Sequence, residues 1–289
     1  MAYETVLSLL RKSTDFFEEK GIDEAKRSAE HLLAHAMNKS RLQLFLDFDK
    51  PVSDKELQLF RALIRRRLAN EPVQYIVGSV EFYGLEFIIA PPVLIPRPET
   101  EHLVEAVIDY LRDKTSATRV LDIGTGSGCI AVALASHVKH IRIIATDVDA
   151  RALDVANANS LRHGVAERVT FLQHDIRADT LQQLDAPFDV VVSNPPYIAA
   201  ADVDELQAEI RLHEAATALT DHGDGLGFFR AIAAHSAALL TTDAMLAVEI
   251  AYGQAEAVRD ILSTAGLKDI TVLSDYSGIQ RVVLAKRSG

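Results

Sequence analysis

The chain has 289 residues, 48% of them apolar, and a net charge of −11 at neutral pH. That composition is enough to fill the core of one large domain plus a small one, and no apolar run reaches the ~18 residues of a membrane helix, so no membrane-spanning helix is expected. Cys129 is the only cysteine, which excludes an intrachain disulfide and a cysteine zinc cluster and leaves a small buried packing role. The first ten residues contain Glu4 and lack the basic-then-apolar order of a leader. A soluble, cytoplasmic protein is expected.

Residues 1–70 read as a small helical bundle. Val6, Leu9, Leu10 and Phe17 repeat at helical spacing, as do Ala25, Ala29, Leu32, Leu33 and Ala36. Ser53 and Glu56 form a capping box ahead of the stripe Leu57, Phe60, Leu63, Ile64 and Leu68. This segment carries 13 Lys+Arg against 11 Asp+Glu, a net +2, so the other 219 residues hold −13. A catalytic region that negative repels a phosphate backbone, and no direct nucleic-acid contact is expected. Arg61, Arg65, Arg66 and Arg67 are the densest basic cluster. Such a cluster reads either as a solvated helix face or as a docking surface for a protein or ribonucleoprotein partner. His31 and His35 lie one helical turn apart but have no third ligand in view, so no metal is expected.

Residues 71–98 read as a linker. Glu71-Pro72 ends the bundle, residues 73–90 read as strands, and Tyr83-Gly84 is the turn of a hairpin between Val80–Phe82 and Leu85–Ile89. From residue 99 to 289, helices alternate with strands in α/β fashion. Val120–Ile123 is a buried strand, followed by Gly124-Thr125-Gly126-Ser127-Gly128 and a helix over 129–138. Glycines at this spacing let the backbone turn tightly and approach a ligand beside a helix N-terminus. The next strand, 141–146, delivers Asp147, 23 residues after Gly124. An acid about 20 residues after the glycine loop suits a ribose diol. The strand at 168–173 delivers His174-Asp175.

The strand Phe188–Ser193 ends at Asn194-Pro195-Pro196-Tyr197. Consecutive prolines stop the strand and stiffen the turn. Such a turn can aim the Asn194 carboxamide and the Pro195 carbonyl at one planar NH2 group, with the Tyr197 ring covering it. A plain strand stop would use the same residues. The glycine loop, Asp147, Asp175 and Asn194 thus share the carboxyl edge of one sheet, where ligands of open α/β sheets bind. Asp221 to Gly227 lacks the spacing of a calcium loop and reads as a glycine-rich turn near that edge. The strands 244–250, 270–274 and 280–285 complete the sheet. The last two have no room for a crossover helix and should be antiparallel.

These motifs resemble the class I S-adenosylmethionine-dependent methyltransferases, with a Rossmann-like, mostly parallel sheet and an antiparallel final strand. The stretches Glu71–Gly78, Glu81–Phe87 and Val93-Leu94-Ile95-Pro96-Arg97-Pro98-Glu99-Thr100-Glu101 narrow the resemblance to the HemK/PrmC family, the glutamine-N5 methyltransferases of peptide chain release factors. So do Glu249-Ile250 with Gly253-Gln254, and Asp275 with Gly278 and Arg281. The Leu94 to Thr100 segment also reads as a proline-stiffened linker with Thr100 as a helix cap.

The resemblance implies S-adenosylmethionine as cofactor and S-adenosylhomocysteine as product. Gly124 to Gly128 would approach the methionyl part, Asp147 the ribose, and Asp175 with Ile176 the adenine, while Asn194 to Tyr197 would bind substrate and act in transfer. It implies class I release factors as protein substrates, modified at the glutamine of a Gly-Gly-Gln loop, and a monomer is expected. The sequence departs from the family pattern at Ala215, Ala251 and Ile176. Asn-Pro-Pro-Tyr alone also occurs in DNA adenine methyltransferases, and a sister group modifies a ribosomal protein, so both stand as alternatives. No strong base is evident in the motif. Fixed dipoles from Asn194 and Pro195 are expected to orient the nitrogen and stabilise its developing charge, with Glu99 as an alternative proton acceptor.

Overall fold

Apolar stripes at helical spacing become four helices: α1 (Val6–Glu19), α2 (Ala25–Ala36), α3 (Arg41–Leu46) and α4 (Asp54–Leu68). The structure is a computed structural model that describes residues 4–114, 116–178 and 181–288. Its residues group into two units, Met1–Ser79 with Gln207–His213, and Val80–Leu206 with Glu214–Gly289.

In the first unit the expected stripes form the core, with Phe17, Leu32, Leu33, Leu44 and Phe60 all nearly inaccessible. Ser53 and Glu56 cap α4 reciprocally, and Ser40 and Gln43 do the same for α3. Each such cap is worth about 1 kcal/mol. Helix formation continues past Glu71-Pro72. Val73–Val77, expected as strand, is helix α5, and its Ile76 joins the core. Pro72 fixes the first turn and Gly78, at φ +83°, closes the last, and these end signals outweigh the β-branched composition between them.

The arginine cluster is divided. Arg61 and Arg65 are exposed, and Arg66 pairs with Glu71 at 2.5 Å. Arg67 is buried, bonded to the Glu71 carbonyl at 3.2 Å and paired with Glu209 at 2.6 Å. Arg67 is therefore neither a solvated face nor a docking surface. Removing one partner of a buried pair typically costs about 3–5 kcal/mol. Glu209 sits on the helical turn Ala208–His213, and His213 Nε2 bonds the Ala69 carbonyl at 3.0 Å. A segment ten residues past Tyr197 is thus part of the helical unit.

The hairpin β1 (Ser79–Phe82) and β2 (Leu85–Ile88) turns at Tyr83-Gly84 as expected, both residues at positive φ. The second unit continues with α6 (Thr100–Arg112), β3 (Thr118–Ile123), α7 (Cys129–His137), β4 (Ile141–Asp147), α8 (Ala150–Arg162), β5 (Val169–Gln173) and β6 (Phe188–Ser193). After α9, the turn Ala208–His213 already described, come α10 (Ala216–Leu219), α11 (Gly227–Leu239), β7 (Leu240–Glu249), α12 (Ala255–Thr264), β8 (Leu267–Ser274) and β9 (Gln280–Arg287).

Seven strands make one sheet in the order β5-β4-β3-β6-β7-β9-β8. The first five are parallel, whereas β9 runs antiparallel to both neighbours, as expected. The central strands are continuous apolar runs because helices cover both faces. From β3 the chain builds outward through β4 and β5, then returns to place β6 on β3's other side. The order therefore reverses between β3 and β6, the crevice where such sheets bind ligands. Register brings Ile123 beside Ser193, and Ser193 beside Val248. Gly124, Asn194 and Glu249 consequently emerge side by side.

Candidate active site

The glycine loop leaves β3 by positive φ at Gly124 (+73°) and Gly126 (+54°), and an added Cβ at either would meet only open space. Gly128 differs, since a Cβ there would lie 2.9 Å from that of Ala156. It is the point where the loop packs on α8. Of the five loop residues, Gly124 and Gly126 line a cleft that Asp147, Asp175 and Asn194 also line. The Thr125 and Ser127 side chains are buried. Thr125 donates to Asp122 Oδ2 at 2.7 Å, and buried Asn159 ties Ser127 O (2.9 Å) to the Ile88 carbonyl (3.0 Å). These side chains hold the loop, and what faces the cleft is backbone. Burial pushes the Asp122 carboxyl up to about 7.

Asp147 lines the cleft at the end of β4. It accepts the Gly126 N–H at 2.9 Å and the Asp149 N–H at 3.0 Å, so it also sets the loop's conformation. Each oxygen keeps a further lone pair for a hydroxyl. Burial raises its pKa. Asp175 and Ile176 line the same cleft. Arg177 clamps Asp175 through Nε at 3.0 Å and Nη2 at 2.9 Å, and holds its pKa below the usual range. The Arg177 guanidinium lies 4.7 Å from the Phe228 ring centre. Pro92, Val93 and Leu94 add an apolar wall. Nothing in their local pattern marks them as lining, and they reach the cleft only through the fold. Arg97 pairs with the buried Glu214 at 2.5 Å and anchors that segment beyond the wall.

At the end of β6, Asn194, Pro195 and Pro196 line the cleft across from the glycine loop. Asn194 Nδ2 donates to Thr100 Oγ1 at 3.1 Å, which leaves Oδ1 as the free acceptor. Thr100 is fully buried on the first turn of α6 and makes no side-chain cap there. The linker's threonine serves Asn194 instead. Tyr197 donates its hydroxyl to Glu249 Oε1 at 3.2 Å. Its carbonyl accepts Gln254 Nε2 at 2.9 Å. A Cβ at Gly225 would lie 2.3 Å from that carbonyl. Asp221 holds Gly225 in place by accepting the N–H groups of Gly223, Gly225 and Gly227 at 2.7–3.0 Å. The glycine-rich turn is therefore a buttress for the Tyr197 end of the motif. Glu249 is almost wholly buried, and that burial pushes its carboxyl up to about 7 against the hydrogen bond from Tyr197, while its Oε2 has no hydrogen-bond partner. The sequence did hold one signal for Glu249, an acid closing the apolar strand Ala244–Ile250.

Among the described residues no group of His, Cys, Asp or Glu is placed to hold a metal ion. The donor set suits an uncharged or cationic nucleoside-like molecule. It offers an open glycine cradle, a carboxylate at the end of the next strand and an apolar slot.

The family model described as PrmC N-terminal domain matches residues 8–78, and the one described as Methyltransferase small domain matches residues 100–238. The chain is 42% identical to a release factor glutamine methyltransferase of Chlorobaculum tepidum, over 96% of this chain and 95% of that one. It is 41% identical to the protein of that name from Geobacter sulfurreducens, with the same coverage. A crystal structure of a methyltransferase from Pyrococcus furiosus is 15% identical and superposes on 81% of this chain and 99% of its own, with a TM-score of 0.53, a likeness of fold.

Proposed function

The chain belongs to the release factor glutamine methyltransferase family, and from that premise we propose that it methylates the side-chain amide nitrogen (N5) of a glutamine in a class I peptide chain release factor. The observation that carries the reading is the pose of Asn194. Its Nδ2 is occupied by Thr100, and its Oδ1 is left for a donor in the cleft that Gly124 and Asp147 also line. Asn194 Oδ1 and the Pro195 carbonyl are two acceptors matched to the two N–H groups of a primary amide.

Asp147 would hold the ribose of S-adenosylmethionine and Asp175 with Ile176 its base, and the bound cofactor would supply an electrophilic methyl group, with S-adenosylhomocysteine as the product. The chain's own residues contribute position and charge. An amide nitrogen is a poor nucleophile because its lone pair is delocalised. Two fixed acceptors orient that nitrogen and stabilise the positive charge it gains, at no cost in reorganisation. The proton then leaves to water. Thr125, Ser127 and Gly128 act by shaping the loop, and Pro196 by stiffening the turn. The acidic charge outside residues 1–70 favours a protein over a DNA substrate.

Incubation with methyl-labelled S-adenosylmethionine and, separately, a release factor, ribosomes and duplex DNA tests this. Label on one release-factor glutamine is expected. Label on DNA or on a ribosomal protein alone would overturn the assignment.

A further inference from the structure

Among the described residues, no large apolar side chains are more exposed than Tyr252 and Tyr276, at 81% and 92%. A lone exposed aromatic is ordinary, whereas a pair presented together beside a site points to a partner. We propose that Tyr252 and Tyr276 form an aromatic rim on which the main chain flanking the substrate glutamine packs; this rests on the glutamine-methylation reading and extends it from the amide to the residues around it.

Register places both tyrosines at the reacting edge. Ser193 pairs with Val248, so β7 ends beside Asn194 and runs directly into the turn that carries Tyr252. Glu249 pairs with Val282, and the Ile250 N–H donates to the Arg281 carbonyl at 2.9 Å. The turn before β9, which carries Tyr276, therefore stands next to the first. Each turn is braced. Gln254 Oε1 accepts the Ala251 N–H at 3.0 Å, and Gln254 Nε2 donates to the Tyr197 carbonyl at 2.9 Å, which straps the Tyr252 turn to the last residue of Asn-Pro-Pro-Tyr. Asp275 Oδ1 accepts the N–H groups of Ser277 and Ile279 at 2.9 and 3.0 Å, and its Oδ2 accepts Arg281 Nε at 3.0 Å. The Tyr276 ring meets His102 edge-on, with centroids 4.8 Å apart. His102 follows closely on Thr100, the partner of Asn194.

Exposure that high means that neither ring fills the core. Asp275 and Arg281 pair with each other, so what the second turn presents outward is a ring rather than a charge. A glutamine amide lies only a short side chain from its own main chain, so the segment that carries it must cross this edge. A tyrosine ring offers such a segment a large apolar face and a hydroxyl at little cost in side-chain entropy. Braced turns lower the cost further, because little has to be ordered on binding.

The test measures kcat/KM of the full-length enzyme on intact release factor and on a short peptide spanning the labelled glutamine. The variants are Tyr252→Ala, Tyr276→Ala, the double alanine variant and the double phenylalanine variant. Each alanine should lower kcat/KM on both substrates by about fivefold to thirtyfold, the scale of an interface aromatic. The loss should appear in KM with kcat nearly unchanged, because the contact is made equally before and during transfer. The phenylalanine pair keeps both rings and should stay within about threefold of wild type. S-adenosylhomocysteine affinity and the thermal midpoint should not move, which separates a substrate contact from damage to the site or the fold. A double alanine variant within about twofold of wild type on both substrates overturns the rim. So does a loss confined to the intact factor, which would place the contact away from the glutamine. Wild-type enzyme that labels no glutamine overturns the functional reading, and the rim falls with it.

Discussion

Asp147→Ala should weaken cofactor binding through two separable effects. The first is direct. A carboxylate that accepts ribose hydroxyls makes charge-assisted bonds worth about 1.5–3 kcal/mol, a tenfold to hundredfold change in Kd. The second is indirect. Asp147 already accepts the Gly126 N–H at 2.9 Å and the Asp149 N–H at 3.0 Å, so alanine also frees Gly126 from a side-chain restraint. Re-ordering one glycine on binding costs about 1 kcal/mol more. The expected loss is therefore about 2.5–4 kcal/mol, or roughly 70- to 800-fold. Fold stability should change less than two lost acceptors suggest. The carboxyl is desolvated and its pKa raised, so removing it also relieves a burial cost. Calorimetric titration with S-adenosylhomocysteine, which avoids turnover, measures the first quantity, and a thermal melt measures the second. Asp147→Asn separates the two effects, since its amide oxygen can still accept one loop N–H. A folded Asp147→Ala protein with Kd within threefold of wild type would refute the ribose assignment.

Asn194→Ala should cut methyl transfer by about 100-fold or more while S-adenosylhomocysteine affinity stays near wild type; an unchanged single-turnover rate would make Asn194 a strand stop only. Burial pushes the Glu249 carboxyl up to about 7, with Tyr197, Arg281 and Thr100 opposing the rise. That raised pKa sets a sign for stability. The buried acid favours its neutral form, so its contribution is complete below the unfolded value near 4.5 and is lost as pH rises through about 7, a change of about 3 kcal/mol. The wild-type-minus-Glu249→Gln difference in unfolding free energy should therefore fall across pH 4.5–7.5. Leu42 and Leu46 on α3 are 69% and 77% exposed, a better grip for a protein substrate than the divided arginine cluster. Leu42→Ser/Leu46→Ser should lower kcat/KM on intact release factor at least tenfold, given about 1.5–3 kcal/mol per buried leucine, and leave transfer to a short glutamine peptide unchanged. Equal losses on both substrates would sink that idea.

That the strand ends line one cleft was legible in the sequence, whereas the residues packed behind Asn194 were not, and the difference is one of range. Glycine loop, Asp147, Asp175 and Asn194 each follow a short apolar run, and an α/β chain brings the ends of its parallel strands to one edge. Knowing the strands is enough to know the neighbours. The same local reading fails at Val73–Val77, where the end signals Pro72 and Gly78 override composition, and at Arg67, whose partner Glu209 lies 142 positions away.

Thr100, Asn194, Glu249, Gln254 and Gly225 meet only because β6 and β7 are parallel neighbours and α6 begins above them. Each has a bland local reading: a cap, a strand stop, a lone buried acid, a helix start, a turn. What distinguishes them is pairing: Asn194 Nδ2 is taken by Thr100, the Tyr197 hydroxyl by Glu249 and the Tyr197 carbonyl by Gln254. Spacing cannot reveal such pairing, because each bond joins residues that lie far apart in the chain and that the fold alone brings together.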